Sequence, residues 1–299
     1  MNEPPYEHLV FAGNGTSAVA CVEELLKSGQ VFDITIFGDE PHPNYDRALL
    51  PSVLAGERDV DSIILNDIEW YQEHGIRTRL GISVEEIDRF GRAVRSSDGD
   101  WTNYDKLIIA TGSAPIVPPM DGLDKDGVFF FSTLDDTRRI IDAAAQGTRA
   151  VVIGNWLAAE AASGLRKRGC DVTVVEQASA VLGEGRVEAV RFTDGEVAQA
   201  DLVVIAMGLR PNIQLAVDAG LETDQGIVVN DQLETSDPDI FALGGCTAYN
   251  QQTYDCLPPM LEQANVLAAT LSGHRLSNTA RLPPHTANPP QNPAAPTIA

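Results

Sequence analysis

The clearest chemical signal lies near the start of the chain, where residues 13–17 read Gly-Asn-Gly-Thr-Ser. An apolar run at residues 9–12 precedes this turn, and an alanine- and valine-rich helical pattern follows it at residues 16–27. A glycine turn between a strand and a helix can hold a pyrophosphate, because small residues let the backbone approach and the helix N-terminus offers free N–H groups. The predicted phosphate contacts are Gly13, Asn14, Gly15 and Ser17.

A second polar element follows the next predicted strand. Residues 32–37, which read Phe-Asp-Ile-Thr-Ile-Phe, are rich in apolar and β-branched residues, and Gly38-Asp39-Glu40 follows them. An acidic residue just after the second strand of a dinucleotide fold binds the adenosine ribose hydroxyls. We expect Asp39 to have this role, with Glu40 as second choice. An acidic turn that binds no ligand is the alternative.

Composition restricts the possible functions. The 299 residues carry a formal net charge of −22, with a pI of about 4.4, which disfavours binding to nucleic acid or to an anionic membrane surface. No apolar run is long enough to span a bilayer. The four cysteines (Cys21, Cys170, Cys246 and Cys256) show no Cys-x-x-Cys spacing, so we expect a reducing, cytoplasmic location. A solvated surface explains the acidity; a salt-adapted host or a face for a basic partner would also fit.

Two further motifs carry a family resemblance. Residues 43–57 read Pro-Asn-Tyr-Asp-Arg-Ala-Leu-Leu-Pro-Ser-Val-Leu-Ala-Gly-Glu, and residues 104–113 end in Ala-Thr-Gly-Ser. Together with the first turn, they resemble flavoprotein reductases that have two dinucleotide folds. The resemblance is closest to the amino-terminal FAD module of NAD(P)H-dependent nitrite reductase large subunits and to related electron-transfer proteins of nitrate assimilation. Ferredoxin and rubredoxin reductases are also similar.

The resemblance implies an α/β protein with two Rossmann-like folds and FAD as cofactor. It places Arg47 against the phosphates or the flavin, although an unliganded surface arginine is the alternative. Ser52 stands where ferredoxin reductases have lysine, as in the nitrite reductase type. Val84 follows the position where the backbone pairs with adenine. A buried strand then brings three residues beneath the cofactor: Ala110, Thr111 and Gly112.

Near the end of the chain, the resemblance is less complete. Residues 235–244 resemble the return to the FAD domain, but Gly245 follows where relatives have Asp or Glu on the flavin ribityl hydroxyls. Leu257 belongs to the predicted site, just ahead of a last helix expected to begin at Leu261. In the family, the N-terminus of that helix faces the flavin pyrimidine and stabilises negative charge there.

The second dinucleotide unit departs from the family pattern. After a strand at residues 150–153, the turn reads Gly154-Asn155-Trp156, and Trp156 stands about where the second glycine belongs. A large side chain there would fill or cover the phosphate site, so ordinary NAD(P)H binding is disfavoured. A parallel crossover needs a dozen or more residues with a helix, and no stretch of residues 177–200 has helical periodicity long enough. We expect only a hairpin there, at residues 186–192 and 196–199.

These observations give a domain scheme. Residues 1–114 and 226–275 form the FAD domain, and residues 115–225 form a shortened, degenerate NAD(P)-type domain. Residues 276–299, rich in proline, asparagine and alanine, are expected to be a disordered tail. The carboxy-terminal interface domain of the family is expected to be absent.

The expected function is that of an FAD flavoprotein oxidoreductase, acting as an electron-transfer subunit or reductase linked to nitrate or nitrite reduction. A hetero-oligomer with a redox partner is expected. No catalytic acid, base or metal site is predicted, since the flavin supplies the reactive group. Two alternatives stay open: an NAD(P)H-dependent reductase with a reshaped nicotinamide site, and a cofactor-free structural or regulatory subunit.

Overall fold

The computed structural model describes residues 6–254, 257–274, 276 and 278. The elements up to residue 115 are β1 (His8–Ala12), α1 (Thr16–Lys27), β2 (Asp33–Gly38), β3 (Asn44–Tyr45), α2 (Leu50–Leu54), β4 (Ile64–Asn66), α3 (Ile68–Glu73), β5 (Arg77–Leu80), β6 (Val84–Asp88), β7 (Ala93–Ser96), β8 (Trp101–Asn103), β9 (Lys106–Ile109) and β10 (Ser113–Pro115). Those up to residue 218 are β11 (Val128–Phe130), α4 (Leu134–Ala143), β12 (Arg149–Gly154), α5 (Trp156–Lys167), β13 (Asp171–Val175), β14 (Ala178–Leu182), β15 (Ala189–Phe192), β16 (Val197–Gln199), β17 (Leu202–Ala206), β18 (Leu209–Pro211) and α6 (Gln214–Asp218). The remaining ones are β19 (Ile227–Val228), β20 (Ile240–Ala242), β21 (Thr247–Tyr249), β22 (Gln252–Thr253) and α7 (Leu257–Leu271).

The first domain is built on a parallel sheet with the strand order β20-β9-β1-β2-β5. Its inner strands are continuous apolar runs, which is typical of a sheet covered on both faces. Helices α1 and α7 pack together over the sheet. Strands β6, β7 and β8 form a separate antiparallel sheet.

The second domain repeats most of this plan. Its parallel sheet has the order β11-β17-β12-β13, so β12, β13 and β17 correspond to β1, β2 and β9. Among the described residues, nothing corresponds to β5, and β13 is therefore an edge strand. The predicted α/β architecture with two Rossmann-like folds is confirmed.

The segment that replaces the missing crossover is entirely β. In the chain between β13 and β17, strands β14, β15 and β16 form a separate antiparallel sheet. Residues 176–200 contain no helix. The predicted hairpin corresponds to β15 and β16, whereas β14 was not predicted. At the edge of the parallel sheet, the Arg166 guanidinium donates to the Val172 carbonyl oxygen over 3.1 Å.

The two domains share a hydrophobic core. Helix α2, which belongs to the segment with the family motif, packs against α4 and α5 of the second domain. Gly164 on α5 makes this approach possible: a Cβ at this position would lie 2.9 Å from Leu54 Cγ and 3.3 Å from the Ala55 nitrogen. Strands β10 and β18 pair as an antiparallel ribbon between the domains.

Of the predicted tail at residues 276–299, all but residues 276 and 278 lie outside the described part of the chain. Where helices are described, none has the length and apolar character that crossing a bilayer requires.

The close contact between α2 and α5 gives a prediction. We expect Gly164→Val to lower the free energy of unfolding by roughly 2 kcal/mol, because the added atoms overpack the interface. Ser163→Val is the control, since Ser163 is the exposed neighbour on the same helix, and it should stay within about 0.5 kcal/mol of wild type. Urea unfolding measures the free energy of unfolding of both variants. Equal stability of the two variants would contradict a close contact between α2 and α5 at Gly164.

Candidate dinucleotide site

The first glycine turn is fixed by backbone contacts. Gly13 has a φ of +132°, and a Cβ on it would lie 2.0 Å from the Ala110 carbonyl oxygen. The Gly13 N–H donates to the Phe37 carbonyl oxygen over 2.8 Å. The turn is therefore held between the ends of β1, β2 and β9, and only glycine fits at this position.

Gly15 forms the open part of the same turn. It is the N-cap of α1, is exposed, and has no side-chain cap; a Cβ on it would meet no atom within 4 Å. The first turn of α1 also lacks an acidic residue. The N–H groups at this helix end thus have no side-chain cap, and the position beside them at Gly15 is open, an arrangement suited to a phosphate. Ser17 lies at the back of the turn, where its hydroxyl packs against Gly244.

The two candidate ribose acids have different surroundings. Glu40 is committed: its carboxylate accepts from the Tyr45 hydroxyl over 2.8 Å and from Arg47 Nη2 over 2.6 Å. Asp39 is exposed, and its carboxylate accepts from the Glu40 backbone N–H. Asp39 therefore retains more acceptor capacity, in agreement with its place as first choice.

Asn14 is held by groups on either side of it. Its Oδ1 accepts from the Tyr71 hydroxyl over 2.8 Å, and its Nδ2 reaches the His42 carbonyl oxygen at 3.5 Å. Burial raises the pKa of Tyr71 to about 12, which keeps this donor protonated. His42 Nε2 in turn lies 2.7 Å from Asp135 Oδ1 on α4, and this hydrogen bond lowers the pKa of Asp135.

The turn after β9 joins the site to the exit from the second domain. Ala110 is buried, Thr111 Oγ1 donates to the Asn212 carbonyl oxygen over 2.8 Å, and the Asn212 N–H donates to the Gly112 carbonyl oxygen over 3.0 Å. Gly112 has a φ of +64°, and a Cβ on it would meet open space. This turn lies next to the Gly13 turn, because the Ala110 carbonyl oxygen faces Gly13 directly.

Gly245 lies in a buried 3₁₀ turn, and its carbonyl oxygen accepts from Ser113 Oγ over 3.1 Å. A Cβ on Gly245 would lie 2.5 Å from Ser113 Oγ and 3.4 Å from Met260 Cε. A carboxylate at this position would require Ser113 to move. The space beside Gly245 is thus already lined by neighbouring groups.

The remaining predicted contacts lie on separate elements. Ser52 is on α2, beside a surface depression that Glu57 and Arg58 also line. Val84 begins β6, two residues after Ile82, whose N–H donates to the Gly38 carbonyl oxygen. Leu257 is the first residue of α7, so this helix begins four residues before the predicted Leu261.

The second glycine turn has the same backbone but a different helix end. Gly154 has a φ of +148°, and a Cβ on it would lie 2.1 Å from the Ala206 carbonyl oxygen, so it corresponds to Gly13. Trp156 then corresponds to Gly15. Its side chain is 64% exposed and projects outward. Asn155 Oδ1 caps the Leu157 N–H over 3.4 Å and its Nδ2 donates to the Met207 carbonyl oxygen. A side chain thus caps this helix end, whereas the end of α1 has no side-chain cap.

The sequence did not indicate which side chains support the first turn. Tyr45 and Tyr71 hold Glu40 and Asn14, and Gln263 on α7 accepts from the Gly244 N–H over 2.7 Å. Gln263 is fully buried, and its amide nitrogen also donates to Thr247 Oγ1 over 3.2 Å. An amide in an apolar helical pattern was the available signal for Gln263. Tyr71 contacts Asn14 across 57 residues, which leaves no signal in the sequence. Tyr45 lies only five residues from Glu40, but no pattern marks this pair as a contact.

Comparison with known proteins finds relatives of this chain. The chain is 38% identical to the assimilatory nitrate reductase electron transfer subunit of Bacillus subtilis (strain 168), over 89% of this chain and 39% of that protein. It is also 38% identical to a nitrite reductase [NAD(P)H] of the same organism, over 89% and 38%. The chain therefore spans about two fifths of these relatives.

A solved structure supports the fold. The covalent putidaredoxin reductase-putidaredoxin complex matches with a TM-score of 0.83 and 28% identity, over 91% of this chain and 76% of the matched chain. The family model of the pyridine nucleotide-disulphide oxidoreductases matches residues 7–191 and 179–266, and so covers both glycine turns. The chain belongs to the pyridine nucleotide-disulphide oxidoreductase family.

Proposed function

We infer that the chain is an FAD-binding electron-transfer module of nitrate or nitrite reduction that works with a protein redox partner. Membership of the family supports FAD, and the names of the two Bacillus relatives support the link to nitrate and nitrite. The observation that carries the proposal is the contrast between the two helix ends: α1 is uncapped beneath open space, whereas α5 is capped.

The residues of the first turn fit an FAD pyrophosphate. The N–H groups at the start of α1 would hold the phosphates, and Asp39 would accept from the ribose hydroxyls. Arg47 carries a guanidinium suited to phosphate geometry. When bound, FAD supplies an isoalloxazine ring that takes up and releases electrons, while the protein orients it and excludes water.

The start of α7 is a further contributor in this proposal. No acidic residue lies in the first turn of this helix. A helix N-terminus carries a partial positive charge, which favours negative charge on a nearby ring. Gly245 removes the usual ribityl contact, so the phosphate and ribose contacts would provide a larger share of the affinity.

The same contrast disfavours NAD(P)H as the direct electron donor. Asn155 uses its side chain to cap α5, and Trp156 occupies the position of the second glycine. We therefore propose that electrons enter or leave through a partner protein in a hetero-oligomer. One solved relative, putidaredoxin reductase, forms a covalent complex with putidaredoxin in its crystal structure, which supports a protein partner.

The first test is flavin content. We expect the purified chain to bind close to one FAD, measured by flavin absorbance before and after added FAD. When NADH or NADPH is mixed with the protein anaerobically, we expect the flavin to be reduced at a rate far below that of catalysis, because the second turn lacks a phosphate site. Rapid bleaching would instead favour a reshaped nicotinamide site. Protein that takes up no FAD would leave only the cofactor-free subunit.

The second test separates the two glycines of the first turn. Gly15→Ser should leave the apoprotein as stable as wild type or a few tenths of a kcal/mol more stable, because serine is a good N-cap. The same change should weaken FAD binding at least tenfold, about 1.4 kcal/mol, since the hydroxyl engages the N–H groups and fills the open space.

Gly13→Ala is the paired variant. It should lower the free energy of unfolding by roughly 3 kcal/mol or prevent folding, because its φ and its contact with Ala110 exclude a Cβ. FAD titration and urea unfolding give both quantities for each variant. FAD affinity unchanged in Gly15→Ser would contradict the proposed phosphate site.

A further inference from the structure

The second domain, whose glycine turn leads into a capped helix, packs closely against the segment that carries Arg47. Arg168, which follows α5, donates to the backbone carbonyl oxygens of Val53 and Leu54, the former over 3.2 Å. Lys167 forms an ion pair with Glu57. Two separate basic side chains of the second domain therefore hold α2 and the residues after it.

A hydrogen-bond chain runs from α4 of the second domain into the candidate cofactor site. The backbone N–H of Leu134, the first residue of α4, donates to the Tyr45 hydroxyl oxygen over 3.1 Å. The Tyr45 hydroxyl donates to Glu40 Oε2 over 2.8 Å, and Glu40 Oε1 accepts from Arg47 Nη2 over 2.6 Å. Within this series of hydrogen bonds, Tyr45 therefore links Leu134 to Glu40, and Glu40 links Tyr45 to Arg47.

The direction of the chain is fixed by its chemistry. A backbone N–H can only donate, so the Tyr45 oxygen accepts from Leu134 and its single proton must point to Glu40. Burial raises the pKa of Tyr45, which keeps this proton in place. Tyr45 is 7% exposed, so the geometry does not depend on solvent. Glu40 is then oriented by one donor and presents its other oxygen to Arg47.

We propose that α4 of the second domain positions Arg47 for the cofactor phosphates through Tyr45 and Glu40, so that Tyr45 is a positioning residue of the FAD site. This inference rests on the FAD-binding function proposed above. It gives the shortened domain a role in cofactor binding that needs no nicotinamide. It also leaves the ribose hydroxyls to Asp39, because both oxygens of Glu40 are committed within the chain.

The experiment compares FAD affinity among single and double variants. Tyr45→Phe should raise the FAD dissociation constant about 5- to 30-fold, the effect of losing one or two kcal/mol. Glu40→Gln should raise it similarly. If Tyr45 acts through Glu40, the double variant should bind FAD within about twofold of Glu40→Gln alone, since residues in one network are not additive. Fluorescence titration of the apoprotein measures each constant.

Tyr249→Phe is the matched control. The Tyr249 hydroxyl also donates to a carboxylate, Asp231 Oδ1 at 2.6 Å, but this pair lies apart from the Tyr45–Glu40–Arg47 chain. Its FAD dissociation constant should stay within about twofold of wild type, because distant sites act independently. Urea unfolding of each apoprotein separates a loss of stability from a loss of positioning.

Several outcomes would overturn the inference. Tyr45→Phe that is less stable but binds FAD normally would show a structural role alone. If the increases in the FAD dissociation constant for Tyr45→Phe and Glu40→Gln multiply in the double variant, the two residues act independently and Tyr45 does not act through Glu40. If Tyr45→Phe does not fold, the same comparison of single and double variants can be made with Glu40→Gln and Arg47→Met. Losses of FAD affinity that are additive for this second pair would also refute the inference. Wild-type protein that binds no FAD would instead refute the proposed function, and this inference with it.

Discussion

At Gly13, the place where a side chain would begin lies 2.0 Å from the carbonyl oxygen of Ala110. The first sheet can bring β1 and β9 together at their carboxyl ends only because this residue has no side chain. Gly154 meets the Ala206 oxygen in the same way in the second domain. The contact aligns each strand end with the helix that follows, and everything that a ligand could touch is placed relative to it.

What differs between the two folds lies two residues further along. Gly15 leaves the end of α1 open, while Asn155 and Trp156 close the end of α5 with a side-chain cap and a large exposed ring. Backbone architecture and ligand capacity are thus separable in this chain. The second fold keeps the glycine that its packing requires and changes the residues that a phosphate would contact. Its remaining contribution is through α4 and α5, which hold the Arg47 segment.

Much of the fold could be predicted because its signals are local. Helix α1 has the bounds that its sequence pattern indicated, and a hairpin in place of a helical crossover after β13 was expected because residues 177–200 have no helical period. Strand β14 was missed because a short run of alanine, serine and valine has no strong period. The start of α7 was placed late, since its first turn contains two prolines that conceal the helix.

The site was less predictable than the fold. The glycine turn and the acids after β2 are visible in sequence because their spacing is fixed along one stretch of chain. The partners of those residues are not, because Tyr71 reaches Asn14 across 57 residues and Leu134 reaches Tyr45 across 89. The sequence ranks Asp39 above Glu40 by position, and the three-dimensional contacts add that the Glu40 carboxylate is already bonded to Tyr45 and Arg47.

The edge of the second sheet has its own consequence. Strand β13 has no outer neighbour among the described residues, and an uncovered parallel edge is a template on which other chains can add strands and aggregate. Arg166 engages the Val172 carbonyl oxygen, and Asp171 places a charge at the start of the strand. These two side chains make the edge a poor template, so a sheet that is one strand narrower than its twin can face solvent without recruiting copies of itself.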